Sequence, residues 1–137
     1  MDKVLVTGAS GYIAGHCITE LLKQGYSVRG SLRNMNRKDE VLNAIQQEVA
    51  TENLEFCKLD LLSDEGWDDA VSDCTNVLHV ASPLMAQVPK NEDEIIQPAK
   101  QGVLRALKSS VKNKIRRFVM TSSFSAVAYG HNKEVYD

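Results

Sequence analysis

The residues best suited to chemistry stand near the amino terminus, where Val4-Leu5-Val6-Thr7 runs into Gly8-Ala9-Ser10-Gly11-Tyr12-Ile13-Ala14-Gly15. Glycines at 8 and 11 let a backbone turn through torsions closed to other residues, and they leave no Cβ in the path of an approaching anion. A helix starting directly afterwards aims free N–H groups and its positive dipole end at the same point. Gly8, Ser10, Gly11, Tyr12 and Ile13 are therefore candidate contacts for a diphosphate, and a nucleotide is the first ligand to consider. The spacing is G-x-x-G-x-x-x-G, with Ala14 where the commonest dinucleotide fingerprint has a third small residue, so the letters alone are a weak match. Context strengthens them. Lys3 to Thr7 is short, apolar and β-branched, as a central parallel strand is, and Ile13, Cys17, Leu21 and Ala14, Ile18, Leu22 recur every four residues until Gly25. The plain alternative is an ordinary glycine-containing turn between strand and helix.

Further candidates lie where other strands should end. Ser27 to Leu32 reads as a second strand, followed by the polar loop Arg33 to Lys38. A ribose with a free 2′-hydroxyl ordinarily meets an Asp or Glu there; this chain supplies cations. Arg33 can stack on adenine and, with Arg37 or Lys38, hold a 2′-phosphate, which favours NADP(H) over NAD(H). A solvated basic loop is the bland counterpart. Asp60 and Leu61, closing a third strand over Leu54 to Leu59, could read an adenine edge or simply form a turn. Ala81 and Ser82 offer small side chains beside a ribose, ahead of an irregular stretch, Leu84 to Asp93, of the kind that covers sites. His79 reads as a core histidine. Ser123, after a fifth strand over Phe118 to Thr121, could polarise a carbonyl, although a serine pair at a strand end is ordinarily a turn or cap feature.

These positions need a sheet to bring them together. Helix patterns fall at about Asp39 to Val49, at Asp64 to Asp73 with Ser63 as N-cap, and over a long segment whose Ile95, Ala99, Val103 and Leu107 repeat every four residues. Pro98 fits an early turn of that segment. Asn76 to Val80 is a fourth strand. Strands alternating with helices predict an α/β fold, a doubly wound parallel sheet of five or more strands with helices on both faces. Ligands lie at the carboxyl ends of such strands, which would gather five distant loops into one crevice.

Composition narrows the class. The chain has 137 residues, one domain's worth, with 43% hydrophobic and 25% charged residues and a net charge of −2. There is no basic field for nucleic acid and no apolar run for a membrane, and Met1-Asp2-Lys3 passes straight into the first strand, so a cytoplasmic location is expected. Cys17, Cys57 and Cys74 are odd in number without C-x-x-C spacing, which argues against a disulfide framework or a metal site.

Taken together, Val6 to Ala14, Val28-Arg29-Gly30-Ser31-Leu32-Arg33, Asp60-Leu61, His79-Val80-Ala81-Ser82-Pro83, Pro98-Ala99 with Gly102, and Phe118 to Ser123 resemble the extended short-chain dehydrogenase/reductase family. The resemblance is strongest to its branch of dihydroflavonol reductases, cinnamoyl-CoA reductases and similar NADP-dependent aldehyde and ketone reductases, and it spans nearly the whole chain. It implies a Rossmann fold binding NADP(H), with Arg33 and Arg37 on the 2′-phosphate, Asp60 and Leu61 at the adenine, and Ser123 as the serine of a Ser-Tyr-Lys catalytic set. The family's tyrosine donates a proton to the carbonyl and its lysine lowers that tyrosine's pKa. Its helical Tyr-x-x-x-Lys lies well downstream of the serine, so residues 1–137 are expected to be an NAD(P)-binding portion truncated before that helix and before the substrate-binding part. Tyr129-Gly130-His131-Asn132-Lys133 has the letters, but Gly130 and Asn132 in a polar segment argue for a loop. Such a piece would bind cofactor weakly and catalyse nothing. Alternatives are a noncatalytic NADP-binding sensor or scaffold, and an NAD-dependent epimerase of the same family, against which the basic loop speaks. The long helix leaves room for a homodimer, by fold-level analogy alone.

Overall fold

Leu5 and Val6 are wholly buried because β1 (Lys3–Val6) is the middle strand of a five-stranded parallel sheet, with neighbours on both edges and cover on both faces. The computed structural model describes residues 1–83 and 88–130. The elements that follow are α1 (Tyr12–Lys23), β2 (Ser27–Leu32), a 3-10 turn (Met35–Arg37), α2 (Lys38–Gln46), β3 (Leu54–Lys58), α3 (Trp67–Val71), β4 (Asn76–His79), α4 (Asp93–Lys112), β5 (Arg117–Met120) and α5 (Phe124–Ala128). The strand order is β3-β2-β1-β4-β5, every pair parallel. This is the expected doubly wound, Rossmann-like α/β arrangement. Val6 registers with Gly30 on one side and Leu78 on the other, so the order reverses at β1 and the chain leaving β1 and β4 must diverge.

Alternation along β1 divides the core in two. Val4 and Val6 pack with Ala14, Ile18 and Leu22 of α1 and with Val41 and Ile45 of α2. Leu5 faces Trp67, Ala70 and Val71 of α3 and Ala106 of α4. Each fully buried aliphatic side chain contributes about 1.5–3 kcal/mol, so the two layers together fix β1 tightly beneath its glycine turn.

Two helices show features that the sequence pattern did not settle. α3 begins at Trp67 rather than Asp64, because Gly66 adopts a left-handed φ of +79° and breaks the helix before it. Ser63 instead accepts the Glu65 N–H, while its carbonyl takes the Trp67 indole N–H at 2.9 Å. On α4 the four-residue repeat of Ile95, Ala99, Val103 and Leu107 is present, but the buried stripe is Gly102, Ala106, Ser109 and Ser110. Small residues let the helix approach closely enough for a Cβ on Gly102 to sit 3.4 Å from that of Leu61, and the larger side chains turn to its flank, leaving Ile95 and Leu107 about two-fifths exposed. Pro98, the sixth residue of α4, lies inside the helix. Of the irregular stretch expected over Leu84 to Asp93, residues 84–87 lie outside the described residues.

Arg29, in the middle of β2, brings a charged group to the edge of the second layer. Its Nε donates to Glu55 at 2.7 Å, Nη2 meets Asp73 at 2.9 Å, and Nη1 donates to the carbonyls of Asp69, Ala70 and Ser72 at 3.2, 3.0 and 2.8 Å. One guanidinium thus satisfies the carbonyls that end α3 and joins them to β3. Replacing Arg29 by Met keeps the stem but strands those acceptors, so the urea midpoint should fall by the equivalent of roughly 2–4 kcal/mol. A change below about 0.5 kcal/mol would make the cluster an ordinary surface ion pair.

Candidate functional site

The turn that leaves β1 is held from both sides by hydroxyl groups. Gly8 takes φ +73°, and a Cβ built on it would lie 2.7 Å from the Cβ of Ala81, so only glycine fits. Its N–H donates to Ser31 Oγ at 3.1 Å, and the Ala9 N–H donates to the Ser31 carbonyl at 2.8 Å, tying the turn to β2. Thr7 Oγ1 accepts the N–H groups of Val80 and Ala81 at 3.0 and 3.1 Å, tying it to the chain after β4. Gly11 N–H closes back on the Gly8 carbonyl at 2.8 Å. Gly11 is then the N-cap of α1, with no side-chain cap and no acidic residue in the first turn, so the first N–H groups of that helix are left for an outside acceptor.

A cavity of about 780 Å³ opens over this turn. Gly8, Ser10, Gly11, Tyr12, Ile13, Arg33, Asp60, Leu61, Ala81 and Ser82 all line it, joined by Ser31 and Pro98, which the sequence marked as motif residues but not as cofactor contacts. Asp60 Oδ1 also accepts the Leu62 N–H at 2.9 Å, so it shapes its own turn as well as facing the cavity. Arg33 makes no salt bridge among the described residues. Arg37 and Lys38 stand elsewhere: Arg37 is engaged by Glu40 through two hydrogen bonds of 2.9 and 2.7 Å, and Lys38 begins α2 beside Leu42 and Gln46 on a separate depression. The Arg37 hydrogen bonds hold the Glu40 carboxyl below its ordinary range.

A second, more apolar groove of about 520 Å³ shares the Ala81 and Ser82 wall and runs between β5 and α4, past His79, Ala99, Val103 and Thr121. Ser123 lies outside both cavities. It is the N-cap of α5, accepting the Ser125 N–H at 3.2 Å. Tyr129 follows α5 with extended backbone and Gly130 takes φ +80°, so the helix does not carry on through Tyr129; residues 131–133 lie outside the described residues.

His79 is 2% exposed, with its Nδ1 3.1 Å from Thr7 Oγ1, and burial lowers its pKa. Burial pushes the thiols of Cys57 and Cys74 up to about 11, so neither is a thiolate near neutrality. Among the described residues no group of three His, Cys, Asp or Glu side chains could hold a metal, and no helix is long and apolar enough to cross a membrane.

The sequence profile described as the NAD dependent epimerase/dehydratase family matches residues 4–137, and the chain belongs to that family. It is 40% identical over 137 residues to a dihydroflavonol 4-reductase of Dianthus caryophyllus, and 40% identical over 127 residues to the cinnamoyl-CoA reductase CAD2 of Medicago truncatula. Those matches take in 99% and 92% of this chain but 38% and 39% of the relatives, so the chain spans well under half their length. Among solved structures it resembles the yeast methylglyoxal/isovaleraldehyde reductase Gre2 complexed with NADPH, with a TM-score of 0.78 and 31% identity over 91% of this chain and 38% of that one. The likeness to the dihydroflavonol and cinnamoyl-CoA reductase branch is thereby borne out.

Two outcomes follow for the turn and for the buried imidazole. Gly8→Ala should cost roughly 1–3 kcal/mol in chemical denaturation, from left-handed strain and the clash at Ala81, whereas Gly15→Ala, whose Cβ meets nothing within 4 Å, should be neutral or stabilise by up to about 1 kcal/mol. Equal effects would remove the steric argument. Because His79 titrates below its ordinary 6.5 when folded, the unfolded chain takes up more protons as pH falls, and stability should decline from about pH 6.5 downward. His79→Asn should flatten that part of the profile; an unchanged slope would place the titration on another group.

Proposed function

We propose that the chain is the amino-terminal, NADP(H)-binding portion of an oxidoreductase that reduces an aldehyde or ketone by hydride transfer. The observation that carries this reading is that an uncapped helix N-terminus and Arg33, two anion-binding features from opposite sides of β1's glycine turn, share one cavity. Three features of the chain fit the cofactor. Gly8 carries the chain into the cleft through a left-handed φ and an approach to Ala81 that no Cβ would permit. The N–H groups of Tyr12 and Ile13 suit a diphosphate. Arg33, at a strand end where the chain offers no carboxylate, suits a 2′-phosphate. Asp60 and Leu61 would meet the adenine, with Ala81 and Ser82 beside a ribose. The Arg37 guanidinium, shared with Glu40, would contribute less to the phosphate than Arg33, and Lys38 would act only through its charge.

When bound, NADPH supplies the hydride. The chain's own part is to hold and orient. Ser123 accepts the Ser125 N–H with a lone pair, which leaves its hydroxyl proton to donate to a substrate carbonyl oxygen. Tyr129, beyond the end of α5, is not placed on a helical face that a lysine one turn later could share. We therefore assign the proton donor to none of the described residues and read this stretch as one that binds cofactor without turning over. The small carbonyl substrate would be bound chiefly by further parts of the whole protein.

The test is a fluorescence titration of single variants with NADPH and NADH. Arg33→Glu should weaken NADPH by at least about tenfold while altering NADH by less than about threefold, with Arg37→Glu intermediate. Equal losses for both nucleotides would overturn the 2′-phosphate assignment.

A further inference from the structure

The hydrogen positions around Thr7 follow from counting donors. Its Oγ1 lies 3.0 Å from the Val80 nitrogen, 3.1 Å from the Ala81 nitrogen and 3.1 Å from His79 Nδ1. Both backbone N–H groups can only donate, and together they occupy the two lone pairs of the hydroxyl. Its single proton is left for Nδ1. The reverse assignment would aim three donors at one oxygen and leave the hydroxyl proton without an acceptor in a place where Thr7 is fully buried. Nδ1 is therefore bare, and a neutral ring must carry its proton on Nε2.

We propose that His79 is a positioning residue for the cofactor cleft, which as the Nε2–H tautomer takes the Thr7 proton and so commits both Thr7 lone pairs to the Val80 and Ala81 N–H groups. The inference rests on the nucleotide reading of the cleft and adds what sets the cleft's far wall. The last backbone rung between the two strands is Thr7 N–H to the Leu78 carbonyl at 3.1 Å; beyond it Gly8 turns away, so no β1 carbonyl remains for Val80 and Ala81. The Thr7 hydroxyl stands in for that missing rung. From the other side Thr121 Oγ1 donates to the Val80 carbonyl at 3.1 Å and Thr121 N–H to the His79 carbonyl at 3.1 Å. Ala81, whose Cβ leaves room for nothing larger than hydrogen on Gly8, is fixed by this bracket. The imidazole is itself packed among aromatic rings, with centroids 6.4 Å from Trp67 and 5.9 Å from Phe118, surroundings that disfavour the charged form and agree with its lowered pKa.

The test combines a spectroscopic reading on the unaltered chain with conservative rescue. Nitrogen NMR of labelled histidine should show His79 with an unprotonated Nδ1 and a protonated Nε2. Thr7→Val, which keeps the shape, and His79→Phe, which removes the acceptor, should each weaken NADPH by about tenfold and abolish hydrogen-exchange protection of the Val80 and Ala81 amides. Thr7→Ser and His79→Asn, whose amide oxygen can take the Thr7 proton, should restore both to within about threefold of the parent. If the parent binds NADPH but His79 carries its proton on Nδ1, or if Thr7→Ser is as weak as Thr7→Val, the positioning role is wrong and the nucleotide site stands. A parent chain that binds no NADPH overturns the site reading, and this role with it. The spectrum of the parent chain decides the tautomer even where a variant fails to fold.

Discussion

The close approach of Gly8 to Ala81 is the constraint on which the rest of the architecture turns. A parallel sheet whose order reverses at its first strand must send the chains leaving β1 and β4 apart, and here they part with room for a hydrogen atom but not a methyl group on Gly8. The gap so formed is bounded by the Gly8 backbone on one side and the short Ala81 side chain on the other, walls with little freedom to move aside before a charged, rigid ligand. The two hydroxyls beside the turn, on Thr7 and Ser31, do with side chains what a strand ladder can no longer do once the strands have ended.

Beneath that gap, stiffness comes from two unlike sources. Apolar burial on both faces of β1 holds the strand beneath the turn, while the Arg29 cluster, with Lys3, Glu55 and Asp73, secures the α3 end of the second layer. The first is not weakened by charge screening. The second is partly exposed at its carboxylates and should soften as ionic strength rises. The α4 and β5 side is looser: Val119 and Met120 on the edge strand and Ile95 and Ile96 on α4 remain two-fifths or more exposed, in keeping with a chain that spans under half the length of its relatives.

Much of this was legible in the sequence, for a physical reason. Parallel strands buried on both faces tend to be apolar runs, and Val4 to Thr7, with Asn76 to Val80 around His79, announce themselves as such, whereas Ser27 to Leu32 is marked by its place between a helix and a polar loop. Knowing that ligands gather at strand ends then brings Gly8, Arg33, Asp60 and Ala81 to one place without any coordinates. What escaped were features made by contact. The buried face of α4 was not legible because close packing selects small side chains, and Gly102, Ala106 and Ser109 carry little hydrophobic signal. The start of α3 was misplaced because Gly66 was read as a helical residue rather than a left-handed cap. Thr7, Ser31 and Arg29 draw their importance from partners 23 to 74 residues away, which no local pattern contains. The engagement of Arg37 by Glu40 could have been suspected from their three-residue spacing.

The central claim is that the turn after β1 grips a diphosphate. Amide NMR of the labelled chain titrated with NADPH addresses it most directly. The account predicts the largest, saturable shifts at Gly11, Tyr12 and Ile13, with weaker ones at Arg33 and Ala81, and the same amides responding to inorganic pyrophosphate at higher concentration. Saturable shifts confined to other parts of the surface, or none at the turn, would contradict it.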